Sequence, residues 1–282
     1  MTMRTTLTKT ARSAVDRPLA VLDDLGDQLS FYVRALAWVP RTLRRYVKEV
    51  LRILAEVSFG SGALAMIAGT VGVMLGMTLF VGTVVGLQAY AGLDQLGTAA
   101  LSGFASAYVN TREVAPLVAG LALTATVGAG FTAQLGAMRI SEEIDAVEVM
   151  GVPSLPFLVT TRVIAGFVAI IPLYIIGLLA SYAGSRAIVV YFYGQSPGTY
   201  DHYFDLFLPP EDVFISFFKV LVFAVIIIMS HCYYGYTASG GPAGVGVAVG
   251  RSVRLTIVVV ALVNFFLGFA IWGLETTVRI AG

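Results

Sequence analysis

Five stretches of the chain run apolar and free of Asp, Glu, Lys and Arg: Val57 to Leu93, Val114 to Met138, Val163 to Ser185, Val220 to Gly250 and Leu255 to Leu274. Each equals or exceeds the roughly 20 residues with which a helix crosses about 30 Å of hydrocarbon. The pattern predicts spans at about 62-92, 114-138, 160-184, 213-236 and 254-275. The first stretch, about 37 residues long, would extend some 55 Å as one helix, so it must tilt, break or emerge from the bilayer. It carries two small-xxx-small spacings, Gly72 to Gly76 and Gly82 to Gly86, which allow close approach of another backbone.

Ahead of the spans the period changes. Leu43, Val47, Val50, Leu54 and Val57 recur at three- and four-residue steps, while Arg41, Arg45, Lys48 and Arg52 line another face. Residues 31-57 therefore predict an amphipathic helix in the headgroup layer, with Trp38 as an interfacial anchor and Pro40 near a first turn. Residues 1-30 mix Thr, Arg and Asp without a sustained apolar period and read as a poorly ordered tail. They lack the apolar run of a secretory leader, so insertion is expected to use the spans themselves. Residues 58-282 form the membrane domain, and the fold class is an all-α integral membrane protein.

Composition agrees: 57% of residues are hydrophobic and 12% charged, where a soluble domain carries about a quarter charged. A net charge of +1 gives no reason to expect a nucleic-acid partner. Ten of the eighteen Lys and Arg residues precede Phe59, which places the N-terminus in the cytoplasm. Five crossings then put the C-terminus outside. On this topology Asp94 to Arg112 and Arg186 to Asp212 are external segments, while Arg139 to Arg162 and the Gly-rich turn Ser239 to Gly250 are internal. The lone cysteine, Cys232, excludes an internal disulfide.

Three constellations could carry chemistry. In the segment Met138 to Pro153, Ser141 can cap a short helix of about nine residues whose first turn holds Glu142 and Glu143, with Gly151 and Pro153 as the stop. Ile140, Ile144 and Val147 fall on one side; Glu142, Asp145 and Glu148 gather on another and could meet a basic groove on a second protein. Arg112 and Glu113 interrupt an apolar region, and ionisable groups at membrane depth usually face a cavity or a partner. Adjacent on a helix, they point about 100° apart and are not expected to satisfy each other. Tyr200 to Asp205 reads as an exposed aromatic and acidic docking loop. His231 and Cys232 share no helix face, so they predict buried structural roles rather than a dyad.

The run Gly130 to Pro153, GFTAQLGAMRISEEIDAVEVMGVP, resembles the signature of the MlaE/YrbE permease family. Gly86 to Tyr90, GLQAY, is similar to that family's Leu-Gln-Gly-Tyr region, and Arg112 to Pro116, REVAP, to its Arg-Glu-Leu-Gly-Pro. The resemblance covers roughly Arg45 to Thr277, with Gln134 standing where an acidic residue is common and a longer N-terminal tail that suggests the actinobacterial, Mce-associated branch, B-type. It implies a non-catalytic half of an ABC-type lipid transporter in the bacterial inner membrane. Its short cytoplasmic helix, with Arg139, Glu142, Glu143, Asp145 and Glu148, would dock on a nucleotide-binding ATPase dimer. Gln88, Tyr90, Arg112, Glu113 and Pro116 would line or border a lipid cavity, Arg112 meeting a headgroup or another subunit. A second YrbE-type permease, a paralogue, and Mce substrate-binding proteins complete the implied assembly, with a fatty acid as first substrate and sterol as second. The chain has no G-x-x-x-x-G-K-[ST] loop, so no cofactor is expected on it and ATP is expected to be hydrolysed by the separate subunit. An ion-coupled secondary transporter is the alternative; it calls for titratable residues in several spans.

Overall fold

A computed structural model of the chain describes residues 25–59 and 69–273. Among these no strand occurs, and five helices are long and apolar enough to cross a membrane. Three short helices come first: α1 (25–37), α2 (Val39–Arg45) and α3 (Val47–Phe59). The spans are α4 (Thr70–Gln95), α5 (Ala99–Ile140), α7 (Leu155–Phe192), α9 (Pro210–Tyr236) and α10 (Gly241–Trp272). Between them lie the short helices α6 (Glu143–Val149) and α8 (Pro197–Leu206).

Several boundaries differ from the sequence expectations. The single amphipathic helix expected over 31-57 is three pieces, broken at Trp38 and Tyr46, and helix already occupies 25–30, within the expected tail. Residues 1–24, the start of the first expected span and the end of the chain lie outside the described residues. The external segment Asp94 to Arg112 is largely helical: Ala99 onward continues into the second span as one rod. Small residues explain this, since Gly103 lets α5 approach the Tyr200 backbone of α8 more closely than any Cβ would allow. Tyr200 to Asp205, expected as a loop, is part of α8. The turn expected over Ser239 to Gly250 shrinks to the residues before Gly241. Gly240 takes φ 91° there, while Gly244, Gly246 and Gly250 are helical. Backbone groups in lipid must bond internally, so glycine breaks a helix less readily there than in water.

α5 is the central element. In its most apolar window 61% is buried, against 28% for α4 and 17% for α10, so those two helices face outward along much of their length. α4 lies along α7, where Gly82 and Gly86 meet the backbones of Ser181 and Ser185. Ser185 Oγ donates to Gly82 O at 2.6 Å. A side chain at Gly76 would meet nothing within 4 Å, whereas Gly82 and Gly86, the second glycine spacing, both form contacts. Phe223, Ile227 and Ile228 of α9 fill the centre with Leu123 and Leu135 of α5 and Ile170 of α7, all at most 1% exposed.

α1 to α3 sit at the α6 end of the bundle. Thr160 Oγ1 bonds Ala35 O at 3.0 Å and Tyr32 Oη donates to Ser230 Oγ at 3.1 Å. Their free side shows Leu25, Leu29, Val33, Leu36, Leu43 and Val47, all exposed. An apolar stripe of that kind beside arginines suits the boundary between headgroups and acyl chains.

Candidate functional site

Two sites occupy opposite ends of the bundle. At the α6 end, α5 finishes at Ile140 and the chain turns sharply into α6. Ser141 does not cap α6 as expected. Its hydroxyl proton is shared between Ala137 O at 3.0 Å and Glu143 Oε1 at 2.9 Å. The capping position is taken by Glu142, held at φ 60°. A non-glycine residue there carries local strain, which surrounding structure must hold in place.

What holds it is a set of four attachments. Ile144 is fully buried under the spans, as its place on the apolar side predicts. Arg139 Nη1 pairs with Asp145 Oδ1 at 2.7 Å. Glu148 accepts from Ser154 Oγ, which also bonds Tyr236 Oη at 2.7 Å. Gly151, at φ 77°, lets the Gly151 and Val152 amides return to the Glu148 and Val147 carbonyls. α6 is therefore tied to α5, to the start of α7 and to the end of α9.

These attachments change the expected surface. Of the acidic residues, Asp145 and Glu148 are engaged within the chain and Glu143 with Ser141, which leaves Glu142 as the acid with no side-chain bond among the described residues. All four acids are nevertheless exposed, and the tip beside them is apolar: Val149 is 89% exposed and Met150 71%. Sequence reasoning missed this knob by looking for charge; the signal was two large apolar residues just ahead of the Gly151 stop. Gln134, flagged for its departure from the family pattern, donates to Glu56 Oε1 at 2.9 Å and accepts from Arg162 Nη2 at 3.3 Å, joining α5 to α3 and α7.

At the other end, α5 contains a wide, π-type turn over Asn110–Val114. Arg112 is 4% exposed and pairs with Asp212 at 2.7 Å, while Trp272 Nε1 donates to Asp212 Oδ1 at 3.0 Å. The guanidinium also lies over the rings of Tyr108 at 4.1 Å and Trp272 at 5.0 Å. Arg112 thus meets a carboxylate of its own chain. Glu113, half-buried, accepts from Lys219 Nζ at 3.1 Å and Asn264 Nδ2 at 2.6 Å. Lys219, itself fully buried, also donates to the Arg112 carbonyl at 2.6 Å, an acceptor that a wide turn leaves available. Four charges from α5 and α9 close on one another, as groups at membrane depth must. Arg112 and Glu113 do not pair with each other, as their angular separation predicts. Asp212, Lys219, Asn264 and Trp272 were not singled out from the sequence because they lie at least a hundred residues from Arg112; only the rarity of charge within the spans marked Lys219.

The other expected cavity residues are dispersed. Tyr90 stacks on Tyr193 with centroids 4.1 Å apart, Gln88 is exposed, and Pro116 is buried within α5. In the interfacial set, Arg41 lies over Trp38 at 5.1 Å and Arg45 over Tyr46 at 5.7 Å. Arg52 pairs with Glu49 at 2.5 Å, which holds the Glu49 carboxyl below its usual range, and Lys48 is exposed. Asp201 of α8 is bound by Arg186 at 2.8 and 2.9 Å and is likewise held low. His231 and Cys232 are both buried; Thr132 Oγ1 lies 2.7 Å from His231 Nδ1.

Ten helices, five of them spanning, with paired charges at one end and a braced apolar knob at the other, define a multi-pass membrane protein with no reacting constellation among its described residues. Residues 59–270 match the family model described as Permease MlaE, and the chain belongs to that family. A probable ABC transporter permease protein of Rickettsia bellii is 29% identical over 91% of this chain and 95% of its own length. A protein of Synechocystis with the same description is 32% identical, over 67% and 72%. The chloroplast protein of Arabidopsis thaliana named trigalactosyldiacylglycerol 1 is 29% identical over 71% of this chain and 57% of that one.

Proposed function

We propose that the chain is the membrane-spanning, non-catalytic subunit of an ATP-driven lipid transporter. Its relatives' description as ABC transporter permeases supports an ATPase partner, and the glycolipid in the Arabidopsis protein's name supports a lipid cargo. The observation that carries the reading is α6. A seven-residue helix, braced at Ile144, Asp145 and Glu148 and ending in exposed Val149 and Met150, is a rigid projection through which a moving soluble subunit can pull on α5, α7 and α9. ATP is hydrolysed by that separate ATPase dimer.

The finer reading follows the motifs. The chain works with a second, paralogous YrbE-type permease and with Mce proteins, in the actinobacterial manner, and imports a fatty acid or related lipid across the inner membrane. The α6 end faces the cytoplasm and the C-terminus the periplasm, in keeping with the ten basic residues ahead of Phe59. Glu113, half-exposed beside the poorly covered α10, supplies polarity to the lipid path. The ion-coupled alternative draws on the buried charges, but Arg112, Asp212 and Lys219 are paired in the chain, and Glu113, which pairs with Lys219, keeps a half-exposed carboxylate.

The test is affinity purification from native membrane with the tag on this chain. An ATPase should co-purify with the wild type and be lost from Val149→Asp/Met150→Asp, with lipid retained by both. Lipid uptake by the lone chain in liposomes, without ATP or ATPase, would sink the proposal.

A further inference from the structure

Beside the α6–α7 connection, a cavity of about 250 Å³ opens between that connection and α2. Arg41, Arg44 and Arg45 line it together with Thr42. None of the three arginines has an ion-pair partner among the described residues. Two of them rest on the rings of Trp38 and Tyr46, which positions a guanidinium without neutralising it. Thr42 is fully buried, and its hydroxyl has no hydrogen-bond partner among the described residues. A helical threonine ordinarily satisfies its hydroxyl on the carbonyl four residues back, so an unmade bond in the cavity wall leaves a donor unspent.

We propose that this cavity binds a phosphate group, and specifically the headgroup phosphate of an anionic phospholipid in the leaflet at the α6 end. Planar guanidinium forks match phosphate oxygens, and clustered arginines next to a span are drawn to anionic lipid. The depth is right for a headgroup because Leu36, Leu43 and Val47 are exposed on the neighbouring surface, where acyl chains would run. A volume of about 250 Å³ gives room for a headgroup phosphate. Pro153 and Pro156 form the opposite wall, so an occupied site joins α2 to the exit of α6. The site lies at the other end of the bundle from Glu113, and it requires only that α2 rests at the membrane surface, not that the transport reading above is correct.

Native mass spectrometry of the full chain in detergent, titrated with phosphatidylglycerol, phosphatidylcholine or inorganic phosphate, reads the site directly. One phosphatidylglycerol should bind at least tenfold more tightly than phosphatidylcholine. Arg41→Gln/Arg44→Gln/Arg45→Gln should lose that preference, Thr42→Val should weaken binding about threefold, and Arg44→Gln alone should fall between. A control with the same charge change outside the cavity, Arg34→Gln/Lys48→Gln/Arg52→Gln, should retain the preference. Equal losses in the cavity and control variants would show diffuse attraction and overturn the proposal. So would saturation by inorganic phosphate at concentrations that displace the lipid, which would make free phosphate the ligand. Should the triple variant fail to fold, Thr42→Val and Arg44→Gln decide: no change in either refutes the site.

Discussion

Replacing Asp212 by Ala removes the carboxylate that pairs with Arg112, which is 4% exposed, and takes away the acceptor of the Trp272 N–H. Breaking a buried ion pair in a soluble protein costs about 3–5 kcal/mol. Polar pairs between membrane helices are worth less, averaging about 0.6 kcal/mol, because the dissociated helices find other partners. A fully buried guanidinium near the end of the bundle falls between these limits, at about 2–3 kcal/mol. Adding Arg112→Met removes the buried positive charge as well and should restore more than half of the loss, since an apolar side chain of similar length fills the same space. The chain contains its own reporter: Cys232 is the only cysteine and is completely buried, so a thiol-reactive dye labels it only on opening. At fixed temperature in detergent, labelling of Asp212→Ala should be roughly 30- to 150-fold faster than wild type, the factor that about 2–3 kcal/mol sets. The double variant should be slower than the single. If Asp212→Ala labels at the wild-type rate, or the double variant opens faster than either single, the pairing does not stabilise the bundle and the reasoning fails.

Four further outcomes follow from the geometry. Gly82→Val should cost about 1–3 kcal/mol by driving α4 off the Ser181 backbone, while Gly76→Ala, which meets nothing, should be neutral or mildly stabilising; the same thiol assay compares them. Glu142→Gly should relieve the left-handed turn and gain up to about 1 kcal/mol, whereas Glu142→Val should destabilise, both read as thermal midpoints. Met150→Asp should weaken ATPase binding at least tenfold in a pull-down with no change in midpoint, because the side chain is 71% exposed. Asp201 is held low by Arg186, so its contribution is present above the ordinary carboxylate range and disappears as pH falls through its depressed value; this exposed pair supplies below about 1 kcal/mol, and the acid-side decline in midpoint should be shallower in Arg186→Gln.

The five crossings were legible because hydrocarbon demands long apolar helices, and the residues that satisfy it, from Val163 to Ser185 for example, leave little ambiguity. The ends were not legible. Ala99 to Val109 carries Ser, Gly and Tyr that suit a loop in water, yet those small side chains pack α5 against α8. The charges of Arg112 and Glu113 make Val114 look like the start of a span; Asp212 and Lys219, brought close only by folding, let α5 run through them. The short helix between Ile140 and Leu155 was visible in its apolar spacing, and Ile144 is buried as that spacing requires. Glu142, Glu143, Asp145 and Glu148 are exposed there, but charge in a sequence says nothing of whether Arg139 pairs with Asp145 or Ser154 donates to Glu148.

The wide turn at Asn110–Val114 inserts one extra residue into α5, and a second lies at Thr124–Gly128, where the His231 ring packs against Gly128. Each surplus residue shifts the phase of everything beyond it by about 100°. An uninterrupted α-helix could aim Glu113 at Lys219 or Leu135 at the centre, but the two ends would be locked in one rotational setting. With both insertions the rod is geared, so its halves are oriented independently, and loss of a single residue at Thr111 or Ala125 would turn one end against the other without shortening the span by more than about 1.5 Å.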